Sequence, residues 1–320
     1  MTSSDVPENR WSDLERPPLN ATALRRALVR PESLWTSLDV VATTGSTNSD
    51  LVGRAAGLDE GAVLVAEEQT AARGRLDRTW SAPARSGLFF SVLLRPAPRV
   101  PVERWGWLPL LTGVAVATGL SRAAGVDTAL KWPNDLLVTV PEEPENPKEP
   151  KEPKEPKEPK EPEDPKDSDW LRPGEAPSGA ERKAGGILAE RTADGAVVVG
   201  VGLNVSLRTE ELPVPTAGSL ALAGAVSTDR DPLLRAVLRS LEQWYGEWRA
   251  AEGDPAASRL QEAYAAGCST LGRTVRAELP GGTSMTGEAV AVDSDGRLVL
   301  ATEDGVQPVG AGDIVHLRPV

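Results

Sequence analysis

Apolar and polar positions follow two different periods along this chain. Short apolar runs bounded by turn-forming residues predict strands at 62–66, 88–94, 128–140, 187–190 and 196–205. Apolar positions three or four residues apart predict helices at 21–29, 47–57, 107–120, 231–248 and 256–266. Strands and helices therefore interleave through most of the first 268 residues.

Two of the predicted helices begin with a capping signal. Residues 46–48 (Ser-Thr-Asn) offer cap residues for the helix that ends near Gly57. Asp231 followed by Pro232 predicts an N-cap and a proline at the first helical position. A stripe at helical spacing then predicts core packing, and it consists of Leu233, Val237, Leu241, Trp244, Tyr245 and Trp248.

The pattern of apolar and turn-forming residues changes after Gly272. Roughly five short β-rich runs follow, and glycine-containing turns separate them. Short strands at regular spacing with such turns are typical of a small antiparallel barrel or sandwich. We therefore expect a small β domain at 269–320.

A charged low-complexity tract interrupts the chain between two predicted strands. Residues 141–169 hold twelve acidic residues and six lysines, and 148–162 are five consecutive Lys-Glu-Pro triplets. A proline at every third position prevents helix and sheet pairing and favours an extended, solvated chain. We expect a disordered insertion, and a docking tail is the alternative.

Composition excludes several classes of protein. The formal net charge is −12 and half of it lies in the tract, so nucleic-acid binding through bulk charge is not expected. One cysteine (Cys268) and one histidine (His316) cannot form an internal disulfide or a usual zinc site, and Cys268 is expected to pack in a core. With no apolar leader and no long apolar run, we expect a cytoplasmic protein that does not contact a membrane.

Lysine is rare outside the tract. Among 35 lysines and arginines, only Lys131 and Lys183 are lysines outside 148–166. An ammonium is a mobile point charge, whereas a guanidinium is a planar fork, so these two positions indicate a need for an ammonium. If the strands that flank the tract pair as a hairpin, we expect the two lysines on neighbouring strands.

Two common phosphate-binding motifs are missing from the sequence. There is no Gly-Lys-Ser or Gly-Lys-Thr, and hence no P-loop. Gly200 and Gly202 are followed by Val205 where a dinucleotide-binding motif needs its third glycine. The stretch is better interpreted as a buried strand that runs into a turn.

A different set of polar motifs takes their place. Arg73 and Arg75 flank Gly74 after a predicted buried strand, and two guanidinium groups beside exposed backbone suit a carboxylate or phosphate. A solvated basic turn is the alternative at this spacing. Residues 131–135 combine a cation, a rigid turn and two oxygen-bearing side chains, and Lys183 precedes a Gly-Gly pair that permits close ligand approach.

Taken in order, these motifs resemble those of biotin–protein ligases, from about residue 40 to 320. The resemblance is carried by Gly45-Ser46-Thr47-Asn48, by 67–75, by Lys131-Trp132-Pro133-Asn134-Asp135, by Lys183 to Glu190, and by Gly200 to Asn204.

The resemblance implies an α+β fold in two domains. A catalytic domain at 40–268 would have a central mixed β-sheet flanked by helices, with the insertion at 141–181. A small SH3-like β-barrel would follow at 269–320. Residues 1–39 would be a partly disordered N-terminal extension, without room for a helix-turn-helix module, so a repressor role is not expected.

The resemblance also implies an ATP-dependent ligase that forms a carbon–nitrogen bond. Biotin and MgATP would give biotinyl-5′-AMP and pyrophosphate. The biotinyl group would then pass to one lysine of a biotin carboxyl carrier domain. We expect the enzyme to be a monomer or a weak homodimer.

The family's functional positions map onto residues of this chain. Catalytic roles fall on Lys183, Arg75 and Asp135, with Lys183 shared between the biotin carboxylate and the α-phosphate. Biotin binding falls on Ser46, Thr47, Asn48, Gln69, Arg73, Gly74, Arg75, Lys183 and Gly186. ATP binding falls on Arg78, Trp80, Lys131, Asn134 and Asn204.

Three of these roles stay open at the level of sequence. Asp135 is expected either to help hold Mg²⁺ or to accept a proton from the acceptor lysine. Trp80 is expected beside the adenylate or in the core. Lys131 is expected either to bind phosphates or to hold the turn that follows it.

Two residues depart from the family pattern. Ala72 replaces a glycine, which adds a Cβ where the backbone could need a positive φ or where biotin approaches closely. Asp77 stands where a glycine is common and adds an acid beside the anion-binding loop.

A lipoate–protein ligase and an inactive biotin sensor are the competing hypotheses. Residues 131–135 together with 72–75 favour biotin over lipoate.

The composition of the tract generates a first prediction. Deleting residues 142–168 should leave carrier biotinylation nearly intact, because lengthening a loop about tenfold costs only about 2 kcal/mol in closure entropy. Carrier biotinylation and biotin-dependent pyrophosphate exchange are measured side by side. A large loss of carrier biotinylation with exchange intact would make the tract a docking element instead.

Overall fold

The first seven strands form one mixed sheet in the part of the chain that the structure describes. A computed structural model of the protein describes residues 16–75, 80–141, 179–279, 282–310 and 312–316. The strands are β1 (Ser37–Thr44), β2 (Ala62–Gln69), β3 (Gly87–Leu94), β4 (Thr128–Lys131), β5 (Asp135–Pro141), β6 (Gly179–Arg191) and β7 (Val197–Asn204).

The strand order of this sheet is β1-β2-β3-β7-β6-β5-β4. β1 and β2 run parallel, while every other pair of neighbours is antiparallel. β3 is buried along its whole length, which explains why its sequence is apolar except for the buried Ser91. The expected central mixed sheet is confirmed.

Helices lie on both faces of the sheet: most enclose the main core on one face, and the helix at Thr47–Arg54 packs over a smaller apolar cluster on the other. They are α1 (Ala21–Leu28), α2 (Thr47–Arg54), α3 (Trp107–Ala124), α4 (Arg230–Ala250) and α5 (Leu260–Gly267), with short 3₁₀ turns at Ala55–Gly57, Val102–Gly106 and Thr209–Glu211. α3 packs closely on α4, because a Cβ on Gly119 would lie only 2.8 Å from the Val237 backbone. The predicted apolar stripe of α4 is largely buried in this core.

Several predicted element boundaries are wrong, and the strand predicted at 187–190 in fact extends over Gly179–Arg191. A single strand over 128–140 is in fact the β4–β5 hairpin, because Pro133 has no N–H to donate and the chain turns there. The N-cap of α4 is Asp229, whose side chain accepts from the backbone N–H of Asp231. The helix predicted over 256–266 begins only at Leu260.

The strands on either side of the tract pair as predicted, but the two lysines are not on neighbouring strands. β5 and β6 are antiparallel, and their last described pair is Pro141 with Gly179. Lys131 lies on β4 and Lys183 on β6, so β5 separates them. The tract itself, at 142–178, lies outside the described residues.

A buried ion pair joins the start of the described chain to the sheet and to α4. Arg230 Nη1 donates to Glu67 Oε2 at 2.6 Å, and both side chains are less than a tenth exposed. Glu67 Oε1 accepts from the Leu19 backbone N–H at 2.6 Å, while Arg230 Nη2 donates to the Pro17 carbonyl at 2.6 Å. Both carboxylate oxygens and both terminal guanidinium nitrogens therefore meet a partner, which limits the cost of burying the pair.

The last strands form a separate antiparallel sheet. The described strands are β8 (Thr274–Glu278), β9 (Ser284–Val292), β10 (Leu298–Thr302), β11 (Gly305–Val309) and β12 (Asp313–His316), in the order β11-β10-β9-β8-β12. The predicted five short strands are confirmed. The pairs recorded among these described strands do not close the sheet into a barrel.

Indole groups join the two sheets. Trp132 Nε1 donates to the Gly296 carbonyl and Trp107 Nε1 to the Ser294 carbonyl, both at 3.0 Å. His316 lies at the same junction, with its Nε2 3.2 Å from Thr270 Oγ1, and burial lowers its pKa to about 4.

Cys268 packs in the core, as expected. Among the described helices, none has the length and apolar character that a membrane crossing requires.

The buried pair predicts a large stability loss when one partner is removed. Glu67→Ala should lower the free energy of unfolding by about 3–5 kcal/mol, because it leaves the Arg230 guanidinium buried and unpaired. Glu262→Ala is the matched control, since its pair with Arg259 is 79% and 71% exposed and should contribute less than about 1 kcal/mol. Denaturant titration measures both, and equal losses would contradict the role given to burial.

Candidate active site

A cavity of about 310 Å³ lies over the interior strands β6 and β7 of the central sheet. The start of α2, the loop after β2, the β4–β5 turn and the middle of β6 and β7 surround it. Its lining includes Ser46, Thr47, Asn48, Gln69, Arg73, Gly74, Arg75, Trp80, Asn134, Asp135, Lys183, Gly186 and Asn204. Among the described site residues predicted from sequence, only Lys131 does not line it.

Neutral polar groups line the end of the cavity at the start of α2. The Ser46 side chain caps the helix by accepting from the Ser49 backbone N–H. The backbone N–H and the hydroxyl of Thr47 both approach Gln69 Oε1, at 2.8 and 3.1 Å. The Thr47 hydroxyl also lies 2.8 Å from Ser91 Oγ. Such groups suit a ligand with neutral donors and acceptors.

Asn48 is held tightly by protein groups. Its amide Nδ2 donates to the Leu188 carbonyl at 3.1 Å and to Glu190 Oε2 at 2.8 Å. Its Oδ1 accepts from Ser91 Oγ at 2.6 Å. A Cβ on Gly200 would lie 2.0 Å from this oxygen, so a glycine is required there. Both amide protons are therefore used to join α2 to β6.

The loop after β2 brings two arginines to the cavity. Arg73 Nη2 donates to Ser49 Oγ at 2.9 Å and to Glu190 Oε1 at 3.2 Å. Arg75 Nη1 donates to Asn134 Oδ1 at 3.2 Å. The guanidinium groups are thus anchored on different elements. Of the other loop positions, Asp77 and Arg78 lie outside the described residues.

Ala72 fits the loop without backbone strain. It is not among the described residues with positive φ, so its Cβ does not force an unfavourable conformation. The side chain is buried and lines the cavity. The substitution therefore narrows the cavity by one methyl group and leaves the loop backbone ordinary.

A bulge in the β5–β6 pair decides where Lys183 points. The register shifts between Leu136 and Leu137, so Leu137 lies opposite Lys183 rather than Ala184. Residues paired across strands share a face of the sheet, and Lys183 therefore lies on the face of Leu137. Ala184 is left on the other face, buried in the core.

On this face the Lys183 ammonium meets a carboxylate. Asp135 precedes Leu137 by two residues and so shares its face. Lys183 Nζ lies 2.5 Å from Asp135 Oδ1 and 6.0 Å from the centre of the Trp80 ring. The lysine side chain remains 37% exposed. The Lys183 ammonium, oriented by Asp135, therefore faces the middle of the cavity.

A segment that sequence reasoning missed fixes the Lys183 backbone. This strap, residues 213–217, lines the cavity with Pro213, Val214, Thr216 and Ala217. Lys183 N donates to the Thr216 carbonyl, and Gly218 N donates to the Lys183 carbonyl, both at 2.9 Å. The alternation of proline with Val214 and Thr216 was the only sequence signal for it.

Two asparagines lie beyond Lys183. Asn134 Nδ2 donates to the Ile187 carbonyl at 3.1 Å, which ties the β4–β5 turn to β6. Asn204 Nδ2 donates to the Gly218 carbonyl at 2.9 Å. Asn204 Oδ1 and Trp80 Nε1 are buried and have no hydrogen-bond partner among the described residues. A buried polar atom of this kind indicates a place for a ligand group.

Lys131 stands behind the cavity at the end of β4. Burial lowers the pKa of its ammonium, and the positive charge of Lys183 acts in the same direction. The carboxylates of Asp135 and Asp313 oppose this shift. Lys131 therefore contributes charge to the site without lining it.

The second sheet also contributes to the site, which the sequence did not reveal. Asp313 of β12 lines the cavity, although 130 residues separate it from Lys183 along the chain. The lining thus holds the cations of Arg73, Arg75 and Lys183 and the carboxylates of Asp135 and Asp313. No group of three or more potential metal ligands occurs within the described ranges.

The arrangement suits a ligand with a neutral polar head, an anionic centre and a flat ring. Neutral donors and acceptors lie at one end, and the ammonium of Lys183 lies in the middle. Trp80 and Asn204 lie at the far side with unused polar atoms. Fixed cations in a cleft of this kind stabilise charge that develops between two anionic groups.

Two families match this chain in sequence. The family described as "Biotin/lipoate A/B protein ligase family" matches residues 40–206. The family described as "Biotin protein ligase C terminal domain" matches residues 270–317. The two matches correspond to the large mixed sheet with its cavity and to the second sheet.

Curated relatives span most of the chain. The biotin--[acetyl-CoA-carboxylase] ligase of Mycobacterium tuberculosis is 41% identical over 311 residues, which are 96% of this chain and 98% of that protein. The bifunctional ligase/repressor BirA of Bacillus subtilis is 29% identical over 283 residues, which are 86% of this chain and 72% of that protein.

Solved structures share the fold. The biotin protein ligase from Aquifex aeolicus in complex with biotin and ATP has a TM-score of 0.64 at 24% identity, covering 89% of this chain and all of that one. The enzyme from Leishmania major in complex with biotinyl-5-AMP has a TM-score of 0.51 at 22% identity, covering 86% and 99%. With both sequence families matched in order, and a relative 41% identical over nearly its whole length, the chain belongs to the biotin protein ligases of the biotin/lipoate A/B protein ligase family.

Proposed function

We propose that this chain is an ATP-dependent biotin–protein ligase. It activates biotin as biotinyl-5′-AMP and transfers the biotinyl group to the acceptor lysine of a biotin carboxyl carrier domain, forming a carbon–nitrogen bond. The observation that carries the proposal is the Lys183 ammonium, directed by Asp135 at 2.5 Å into the middle of a cavity with a neutral polar end.

The first step joins two anions. A carboxylate oxygen of biotin attacks the α-phosphorus of ATP, the bond to the pyrophosphate leaving group breaks, and a mixed anhydride forms. Lys183 offsets the repulsion between the reactants and the charge that builds up in the transition state. Its ammonium rotates freely, so it follows an oxygen as bonding changes. Arg75 supplies a second cation from the loop.

The polar end of the cavity is assigned to the biotin head. Its ureido group has neutral N–H donors and a carbonyl acceptor, which match Ser46, Thr47 and Gln69. Asn48 supports these residues from behind, since its amide protons already bind Leu188 and Glu190. Gly74 and Gly186 leave room for the chain that leads to the carboxylate.

The far side of the cavity is assigned to the nucleotide. Asn204 Oδ1 is a buried acceptor for a nucleotide N–H, and the Trp80 indole offers a flat surface beside Lys183. Asn134 holds Arg75 towards the same region. Lys131 acts on the phosphates through its charge, and Arg78, outside the described residues, is expected to act there too.

The second step forms an amide. The neutral amine of the acceptor lysine attacks the acyl carbon of the anhydride, AMP leaves, and the nitrogen loses a proton. We assign Asp135, which lies beside Lys183, as the carboxylate that accepts that proton. The loop of Arg73 and Arg75 excludes water, which would otherwise hydrolyse the anhydride.

The donor set also fits Mg²⁺. Such ions are usually held by one or two carboxylates together with substrate phosphates, and Asp135 and Asp313 both line the cavity. When bound, the metal would neutralise phosphate charge. Asp135 would then serve the metal in the first step and the proton in the second.

Several wider features complete the proposal. We assign residues 1–39 to an N-terminal extension that adds α1 and the first residues of β1 to the catalytic domain, 40–268 to that catalytic domain and 269–320 to a small SH3-like barrel. The enzyme acts in the cytoplasm on a carboxylase carrier domain, as a monomer or weak homodimer, without nucleic acid or membrane as partner. The formal net charge of −12, half of which lies in the acidic tract, supports the expectation that nucleic acid is not a partner.

A comparison of two substrates tests the function. Pyrophosphate exchange should depend on biotin and be at least roughly 100-fold slower with lipoate, because lipoate leaves the buried polar groups around Thr47 unpaired. Both exchanges are measured at matched concentrations. Equal rates would indicate a lipoate ligase, and biotin binding without any exchange would indicate an inactive sensor.

A conservative substitution tests the central cation. Lys183→Arg should keep the fold and lose roughly 100-fold or more of biotin-dependent exchange, as expected when a fixed transition-state donor is misplaced. Lys131→Arg is the contrast, with a smaller loss, because Lys131 does not line the cavity. Thermal unfolding checks the fold of both variants. Unchanged exchange in Lys183→Arg would remove Lys183 from the mechanism.

A further inference from the structure

Glu190 lies outside the cavity yet contacts two of the groups that shape it. Its side chain is at the end of β6, seven residues beyond Lys183, and does not line the cavity. Oε2 accepts from Asn48 Nδ2 at 2.8 Å, and Oε1 accepts from Arg73 Nη2 at 3.2 Å. One carboxylate therefore joins the start of α2 and the anion-binding loop to the central sheet.

We propose that Glu190 is a positioning residue that latches the Arg73 loop and thereby sets biotin affinity and the retention of biotinyl-adenylate. The proposal rests on the ligase function given above. Arg73 Nη2 is held at a second point by Ser49 Oγ, at 2.9 Å. Both anchors belong to regular elements, so the latch transfers the rigidity of α2 and β6 to an exposed loop.

The carboxylate also fixes the orientation of the Asn48 amide. An ionised carboxylate only accepts hydrogen bonds, so Glu190 requires the NH₂ group of Asn48 to face it. The opposite amide atom, Oδ1, then accepts from Ser91 Oγ, which also lies 2.8 Å from the Thr47 hydroxyl. Glu190 thus acts on the biotin end through Asn48 and Ser91, and on the loop through Arg73.

The latch contributes to loop order more than to folding. The Arg73 side chain is 48% exposed and that of Glu190 is 27% exposed. Ion pairs at such sites contribute little to global stability. They still bias a local opening equilibrium, and loops over active sites open more easily than the core. The consequence of losing the latch is therefore expected in ligand retention rather than in unfolding.

An alternative role for the contact between Glu190 and Arg73 would change biotin affinity in the opposite direction. If the carboxylate competed with an anionic substrate for Arg73, its removal would strengthen biotin binding. A latch predicts weaker binding. The direction of the change in biotin KM therefore distinguishes the two roles.

Glu190→Gln tests the latch with a side chain of nearly the same size and no charge. We expect biotin KM in pyrophosphate exchange to rise roughly tenfold. In the absence of carrier, the release of biotinyl-adenylate should accelerate by a similar factor, while the midpoint of thermal unfolding stays unchanged. Glu181→Gln is the matched control, because Glu181 is on the same strand and pairs with Arg273 at 2.8 and 2.9 Å, away from the loop.

A double-mutant cycle tests whether the effect passes through Arg73. In Arg73→Ala, adding Glu190→Gln should raise biotin KM much less than it does in the parent protein. Full additivity would overturn the latch, as would an unchanged or lower biotin KM in Glu190→Gln alone.

Limited trypsin digestion gives a measurement that does not depend on catalysis. Cleavage after Arg73 should be several-fold faster in Glu190→Gln than in the parent and in Glu181→Gln, because the loop is released. Fragment masses identify the site. A parent protein without any biotin-dependent exchange would reject the proposed function, while the digestion would still decide the latch: equal cleavage rates in all three proteins would reject it.

Discussion

The single-residue bulge between β5 and β6 is the constraint on which the site depends. Without it, Lys183 would lie opposite Val138, whose side chain packs in the core. The register shift turns Lys183 to the face of Asp135 and moves Ala184 into the core instead. A one-residue change in register inverts every side chain of a strand, so the bulge gives a local inversion while β6 keeps its regular pairing with β7.

Backbone contacts on both sides make this inversion rigid. The strap binds the N–H of Lys183 and the following Gly218 binds its carbonyl, so the bulged strand gains partners where the regular ladder is interrupted. Gly185 supports the same point, since a Cβ there would lie 2.9 Å from the Gly202 carbonyl. Lys183 thus has a fixed backbone and a mobile ammonium, a combination suited to a reaction in which the charge to be stabilised moves by a bond length.

Much of the fold and most of the lining could be predicted from sequence, because both depend on local patterns. The apolar run of β3 and the spacing of Leu233 and Val237 report burial directly. The break at Pro133 was missed because apolar residues on both sides of it continued the strand pattern. The only sequence signal for the bulge was the Gly185-Gly186 pair, which we interpreted from sequence as space for close approach of a ligand.

Contacts between distant segments could not be predicted in this way. Asp313 comes to the cavity because contacts such as the indole hydrogen bonds of Trp132 and Trp107 hold the second sheet in place. The strap contacts Lys183 through backbone atoms, and such contacts do not require particular side chains in the sequence. The bond between Glu190 and Arg73 joins charges 117 residues apart. Such contacts depend on tertiary geometry and have no periodicity to reveal them.

The position of the tract explains how a large insertion is compatible with so exact a site. The last described pair of the β5–β6 hairpin, Pro141 with Gly179, lies four residues along β5 from Leu137, or roughly 13 Å at about 3.3 Å per residue. Five residue pairs, from Leu137 with Lys183 to Pro141 with Gly179, thus lie between the bulge and the point of insertion. Closing a longer loop raises its entropic cost only logarithmically, and the intervening pairs hold the register. The hairpin can vary at its tip because its chemistry depends on its base.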